Sequence, residues 1–205
     1  MAATRTRIPP GERRELIEAA AARLFAERGY AGTTLDDIAA EAHVTKPMVY
    51  RHFDSKKALC LALLARHRDD MPRFVEPADP AEPWDVQIRA ALDSWFAYVE
   101  ARPHGWKMLF RDTTGDEEIA AYRLDVQATA RSLIAALLEG HRDPPLPAAE
   151  VEPLAELLRT GLAGLALWWL EHPGIDRAVL VDAAGRILSG LGAGLSAGPT
   201  PADRG

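Results

Sequence analysis

Residues 33–56, TTLDDIAAEAHVTKPMVYRHFDSK, hold the pattern that decides the fold. Two short segments flank the turn at Ala42-His43-Val44. Leu35, Ile38 and Ala39 give the first an inward face, and Val49 and Phe53 give one to the second. Thr33 or Thr34 caps the first helix, with Asp36 or Asp37 three residues on, an Asp variant of the capping box. Thr45 caps the second, and Pro47 sits in its first turn, where backbone N–H groups have no helical acceptor anyway. Helices at about 35–42 and 45–53 are too short to stand alone. The helix they need lies upstream, beginning near Pro10, with Ile17, Ala20, Ala21, Leu24 and Phe25 at the spacing of a buried face. Gly29 ends it in the left-handed region, and Tyr30 packs back on the last turn. The expected product is a three-helix unit that presents its third helix outward. Lys46, Tyr50, Arg51 and His52 lie on that helix's solvent side, where a plain surface helix would carry Glu–Lys pairs. Such a face suits the major groove of DNA.

The order and spacing of these residues resemble the N-terminal domain of the TetR (tetracycline repressor) family. Phe25, Gly29, Tyr30, Thr33, Thr34, Ile38 and Ala39 match one half of its motif. Val44, Thr45, Val49, Tyr50, His52, Phe53, Ser55 and Lys56 match the other. Two positions depart from it, since many members have glycine at His43 and often at Pro47. A non-glycine residue held at positive φ is strained, although His is among the better tolerated. The resemblance implies that Tyr50, His52 and Lys56 meet phosphates. The Thr33 and Thr34 hydroxyls, with nearby N–H groups, make a second anion site. Lys46, Pro47, Met48 and Arg51, behind Thr45, are the candidates for base edges, with Arg51 suited to guanine O6 and N7. Arg5 and Arg7 either reach a minor groove or belong to a disordered arm.

The net charge of −6 argues weakly against a nucleic-acid binder until the chain is divided. Residues 1–70 hold 12 Lys/Arg against 10 Asp/Glu, and residues 71–205 hold 12 against 20. The acidic excess therefore falls outside the part that would meet phosphate. The longest apolar run, Gly161–Leu170, is 10 residues, short of the roughly 17 a membrane span needs. The start of the chain lacks the apolar run of a signal peptide. The single cysteine, Cys60, excludes an intrachain disulfide, and a cytoplasmic protein is expected.

Downstream, Ser55 caps a fourth helix running through Leu59, Leu63 and Leu64 to Arg68. Four prolines make 71–84 a linker. Helices are expected at 86–102, 104–111, 116–140, 152–171 and 176–191, with Pro153 in the first turn of the fourth. The fold class is all-α: a DNA-binding domain over 1–70, then a helical effector-binding and dimerisation domain over 84–195. Leu154, Leu158, Leu162 and Leu165 make one apolar stripe, and Ala178, Val181, Gly185, Leu188 and Leu191 a second. The resemblance makes these the homodimer interface. It also implies a small apolar or aromatic effector, for which Trp95, Tyr98, Trp106, Phe110, Tyr122 and Trp168 are the candidate lining. The link to the DNA-binding unit would be the short helix after Pro103 pressing on the fourth helix.

Catalytic patterns are sparse. His104, His141 and His172 lie in separate segments. The G-x-S-x-G string at 194–198 lacks the strand a nucleophile elbow requires. Asp116, Glu117 and Glu118 open a helix, where the dipole explains them better than a metal does. The expectation is a ligand-responsive regulator, most often a repressor in this family, binding a palindromic operator in double-stranded DNA without cofactor or metal. The alternative is a helical enzyme or scaffold with a vestigial helix-turn-helix.

Overall fold

The computed structural model describes residues 9–76, 81–110, 116–140 and 146–194, which are helical and contain no strand. Its helices are α1 (Pro10–Arg28), α2 (Leu35–Glu41), α3 (Lys46–Tyr50), α4 (Lys56–Asp70), α5 (Pro72–Val75), α6 (Trp84–Ala101), α7 (Pro103–Phe110), α8 (Glu117–Gly140), α9 (Ala148–Trp169) and α10 (Arg177–Gly194). The linker read from the prolines thus contains the short helix α5. Arg5 and Arg7 and residues 195–198 of the G-x-S-x-G string lie outside the described residues.

Two compact units emerge, Met1–Arg68 with Pro103–Val126, and Asp69–Arg102 with Gln127–Gly205. They do not follow a linear split near residue 70, because α7 and the first turns of α8 belong with the N-terminal helices. In the first unit the core is built from Ile17, Leu24, Phe25, Ile38, Val49, Leu59 and Leu64, each almost fully buried. A fully buried side chain of this size stabilises by about 1.5–3 kcal/mol, so this cluster holds three otherwise marginal helices together. Here α7 packs chiefly along α1, a correction to the expected pressure on the fourth helix. The exposed face of α4 meets the start of α8 instead through ion pairs. Lys57 lies 3.1 Å from Asp116 and 3.0 Å from Glu118, and Arg68 lies 3.2 Å from Asp125 and stacks over Tyr122.

In the second unit α10 packs along α6. That corrects the expected interface stripe of α10. Val181, Leu188 and Gly185 are buried within the unit, and a Cβ at Gly185 would come within 3.4 Å of Arg89 Cγ. On α9 the stripe is divided. Leu154 and Leu158 close over the cluster of Ala135, Leu138, Val151 and Ala155, while Gly161, Gly164 and Trp168 stay exposed. α9 also begins a turn earlier than expected, so Pro153 lies inside the helix. Its ring gives no N–H to the 149 carbonyl.

Candidate nucleic-acid interface

The entry to α2 is built as the sequence suggests, whereas Thr45 starts α3 without the side-chain capping bond expected of it. Thr34 and Asp37 form a reciprocal capping box, the Thr34 hydroxyl accepting from the Asp37 N–H and the Asp37 carboxylate from the Thr34 N–H at 2.9 Å. Hydrogen bonds to Thr34 hold the Asp37 carboxyl below the usual carboxylate range. His43 occupies the turn with φ 53°, the strained position anticipated for it. Gly29 caps α1 at φ 75°, and the Tyr30 ring folds back to 5.8 Å from that of Phe25.

Two expected phosphate ligands have work inside the unit. Thr33 is 0% exposed, and its hydroxyl donates to the carbonyls of Gly29 (2.9 Å) and Leu24 (3.3 Å). It leaves the DNA-facing set as a correction, because a threonine so placed joins two turns of backbone and meets no solvent. Lys56 donates to the carbonyls of Tyr30 and Thr33, both at 2.8 Å, with its ammonium 4.2 Å from the Tyr30 ring centre. Two of its three donors are thus engaged in fixing the loop before α2.

The rest of the candidate set on α3 is open to solvent in whole or in part. Val49 is 0% exposed and anchors α3, while Thr45, Lys46, Pro47, Tyr50 and Arg51 are exposed and Met48 and His52 half-buried. Thr45 makes no side-chain capping bond, which leaves its hydroxyl for an outside acceptor. Lys46 Nζ donates to Asp36 Oδ2 at 2.8 Å. This pairing was not read from the sequence, because positions ten apart on different helices follow no helical spacing. The signal was Asp36 itself, a first-turn carboxylate that the capping box does not use.

In the second unit a cavity of about 280 Å³ opens between α5, α6 and Leu137 of α8. Its apolar wall is Phe74, Val75, Val86, Ala90 and Ala91, with Gln87 and Arg73 among its polar residues. None of the six expected aromatics lines it. Tyr98 stands behind Phe74, their ring centres 4.9 Å apart, and Trp95 is half-buried against Phe96. Trp106 is buried beside Phe110 in the first unit, where Tyr122 lies half-buried under Arg68. Trp168 is 44% exposed and stacks on His172, a correction to its reading as a lining residue. The prolines before α6 hid the cavity wall by making 71–84 read as linker. Among the described residues, no three of His, Cys, Asp or Glu are grouped to hold a metal, and no helix is long and apolar enough to cross a membrane.

A short helix packed on α2, anchored by the buried Val49 and entered through a tight turn at His43, defines a helix-turn-helix DNA-binding protein. Comparison with known proteins gives the family. Residues 17–63 match the bacterial regulatory proteins of the tetR family, and residues 85–186 match the tetracycline repressor-like C-terminal domain. The chain is similar to the HTH-type transcriptional activator FasR of Mycolicibacterium smegmatis, 33% identical over 179 residues, covering 87% of this chain and 80% of that one. A TetR-like transcriptional regulator from Rhodococcus sp. RHA1 aligns with TM-score 0.72 at 28% identity, over 94% of this chain and 100% of that one. FadR from Bacillus subtilis, solved in complex with stearoyl-CoA, shares the fold at TM-score 0.68 and 14% identity, over 85% and 96%. The chain belongs to the tetR family and is a DNA-binding transcriptional regulator.

Proposed function

We propose that the protein binds a two-fold symmetric operator as a homodimer and changes its hold on that DNA when an apolar effector enters the second unit. The observation carrying the DNA half is the division of α3, with Val49 fully buried and Thr45, Lys46, Pro47, Tyr50 and Arg51 turned to solvent. Thr34, Thr45, Tyr50, His52 and Lys56 position the protein on phosphates, while Lys46, Pro47, Met48 and Arg51 face base edges. The domain over 1–70 supplies this surface, completed in its core by α7. The test is titration of the protein against its own upstream DNA and a random duplex of equal length. Tighter binding to the upstream DNA by about a thousandfold or more supports the reading; equal binding overturns it.

The dimer rests on the face of α9 and α10 that one chain leaves bare. Leu157, Gly161, Gly164 and Trp168 follow one another at helical spacing on α9, and Val179 and Ile187 protrude from α10, 58% and 65% exposed. Nothing stands within 4 Å of a Cβ placed at Gly161, Gly164 or Gly190, so a partner helix has room for close approach. A dimer also gives each half-site the same recognition helix, which a single helix-turn-helix lacks.

For the effector, the cavity wall of Phe74, Val86, Ala90, Ala91 and Leu137 favours an apolar body. An acyl chain is the class that the stearoyl-CoA complex of FadR brings to mind for this fold. The aromatic set of Trp95, Tyr98, Trp106, Phe110 and Tyr122 contributes through Tyr98, which backs Phe74. Regulation acts only if the effector prefers one dimer shape over the other. Repression follows where the operator overlaps the promoter. Activation is the second reading, favoured by the name of the FasR relative. Transcription in vitro from a promoter bearing the operator separates them, since added protein lowers transcript yield in one case and raises it in the other.

A further inference from the structure

Asp36 and Asp37 are neighbours in the first turn of α2, yet they do different things. Asp37 closes the capping box on Thr34. Asp36 takes no part in it and is 68% exposed at its side chain, reaching across to Lys46, the first residue of α3. A carboxylate on a surface that must approach phosphates opposes binding, and it halves the use of the one lysine that begins the recognition helix. A favourable helix dipole explains an acidic residue at this position. It does not explain why the carboxylate is bonded to the base-facing lysine.

The chemistry of a base pair supplies a reason. In the major groove a G·C pair offers guanine N7 and O6 as acceptors, and beside them the cytosine N4 amino donor. The bond between guanine O6 and cytosine N4 is about 2.9 Å long. Lys46 Nζ and Asp36 Oδ2 are 2.8 Å apart and have the complementary order, donor then acceptor. We propose that Asp36 and Lys46 act as one donor–acceptor unit that reads a single G·C pair in each half-site, which makes Asp36 a specificity-determining residue. Lys46 faces guanine with the two N–H groups that Asp36 does not use, and Asp36 accepts from cytosine N4. Because the pair is neutral as a unit, it adds little to binding on random DNA. The inference rests on the reading of α3 as the base-facing helix.

The experiment titrates the full chain, D36A, K46A and the double variant against single-base variants of the operator and against random duplex at several salt concentrations. In the parent protein, replacing one G·C pair per half-site is expected to weaken binding about ten- to a hundredfold. D36A should lose that preference at this position alone, bind random duplex more tightly, and show a salt slope on it steeper by about one. The double variant should discriminate at that position no worse than D36A. Thermal melts of D36A should match the parent, since the pair is exposed. Loss of affinity by the same factor on every duplex, or discrimination unchanged in D36A, overturns the proposal. If the parent itself prefers no operator variant, the failure lies in the base-facing reading of α3, and the pair falls with it.

Discussion

The carboxylate of Glu18 on α1 lies 2.6 Å from the guanidinium of Arg66 on α4, with its own side chain only 5% exposed. Arg14, one turn back, meets its other oxygen at 2.8 Å. A buried carboxylate flanked by two half-exposed arginines fastens the first helix to the fourth. Removing Arg66 leaves Arg14 in place, so R66A should cost about 1 kcal/mol or less in urea unfolding, because the arginine is largely solvated. R14A with R66A strips both partners and should cost about 3 kcal/mol or more. Additive small losses would show the carboxylate is solvated after all.

His43 at φ 53° marks a turn that glycine would enter freely. H43G should raise stability by up to about 1 kcal/mol, read as a shift in the urea midpoint without a change in slope. A loss would mean the imidazole makes a contact that outweighs the strain. The reverse holds at Gly32, where a Cβ would meet the Arg28 carbonyl oxygen at 2.6 Å. G32A should destabilise the unit, and an unchanged midpoint would refute that.

Tyr50 and Arg51 should separate in their effects on DNA. Y50F should weaken every duplex alike, as loss of a phosphate contact does. R51A should relax the choice at one base per half-site, by about 1–3 kcal/mol. A uniform loss for R51A across single-base variants would make it a phosphate contact too.

Cys60 is the sole cysteine and is 2% exposed. Burial pushes its thiol up to about 12. Only the thiolate reacts, so native protein should resist a thiol reagent near pH 8 and take up one label per chain in urea. A raised folded-state value also means stability present below the unfolded pKa, near 8.5, and lost as pH climbs from there toward 12. Rapid native labelling would show the site opens locally.

Leu157 and Ile187 are 63% and 65% exposed, so charge placed there has no core to disturb. L157E with I187E should keep the helical circular-dichroism spectrum of the folded chain while halving the mass seen by light scattering. A mass that does not change would move the dimer contact elsewhere.

How much was legible depended on which partner a residue answers to. Gly29, Val49 and the Thr34–Asp37 box depend on neighbours a few positions away, and the spacing alone reveals them. Thr33 looked like a ligand because its hydroxyl suits phosphate, and only the folded loop shows the carbonyls it already serves; the same loop takes two of the three Lys56 donors. Val181 and Leu188 formed a convincing stripe, but periodicity says that a face is buried without saying by what. Phe74 escaped notice because prolines on either side suggested a linker, and its place in a cavity wall depends on α6 and Leu137.

The chain enters its first compact unit twice, once from the N-terminus to Arg68 and again from Pro103 to Val126. A recombinant fragment cut near residue 70 would therefore lack α7, the helix that lies along α1, and would expose the face of α1 that α7 covers. The same holds for hybrid regulators made by exchanging N-terminal halves between relatives. Such swaps must carry residues 103–126 along with the recognition helix, or graft onto a host whose own segment fits α1. The reading head of this protein is not a detachable module. Point changes on α2 and α3 leave the surrounding helices as they are and avoid that requirement.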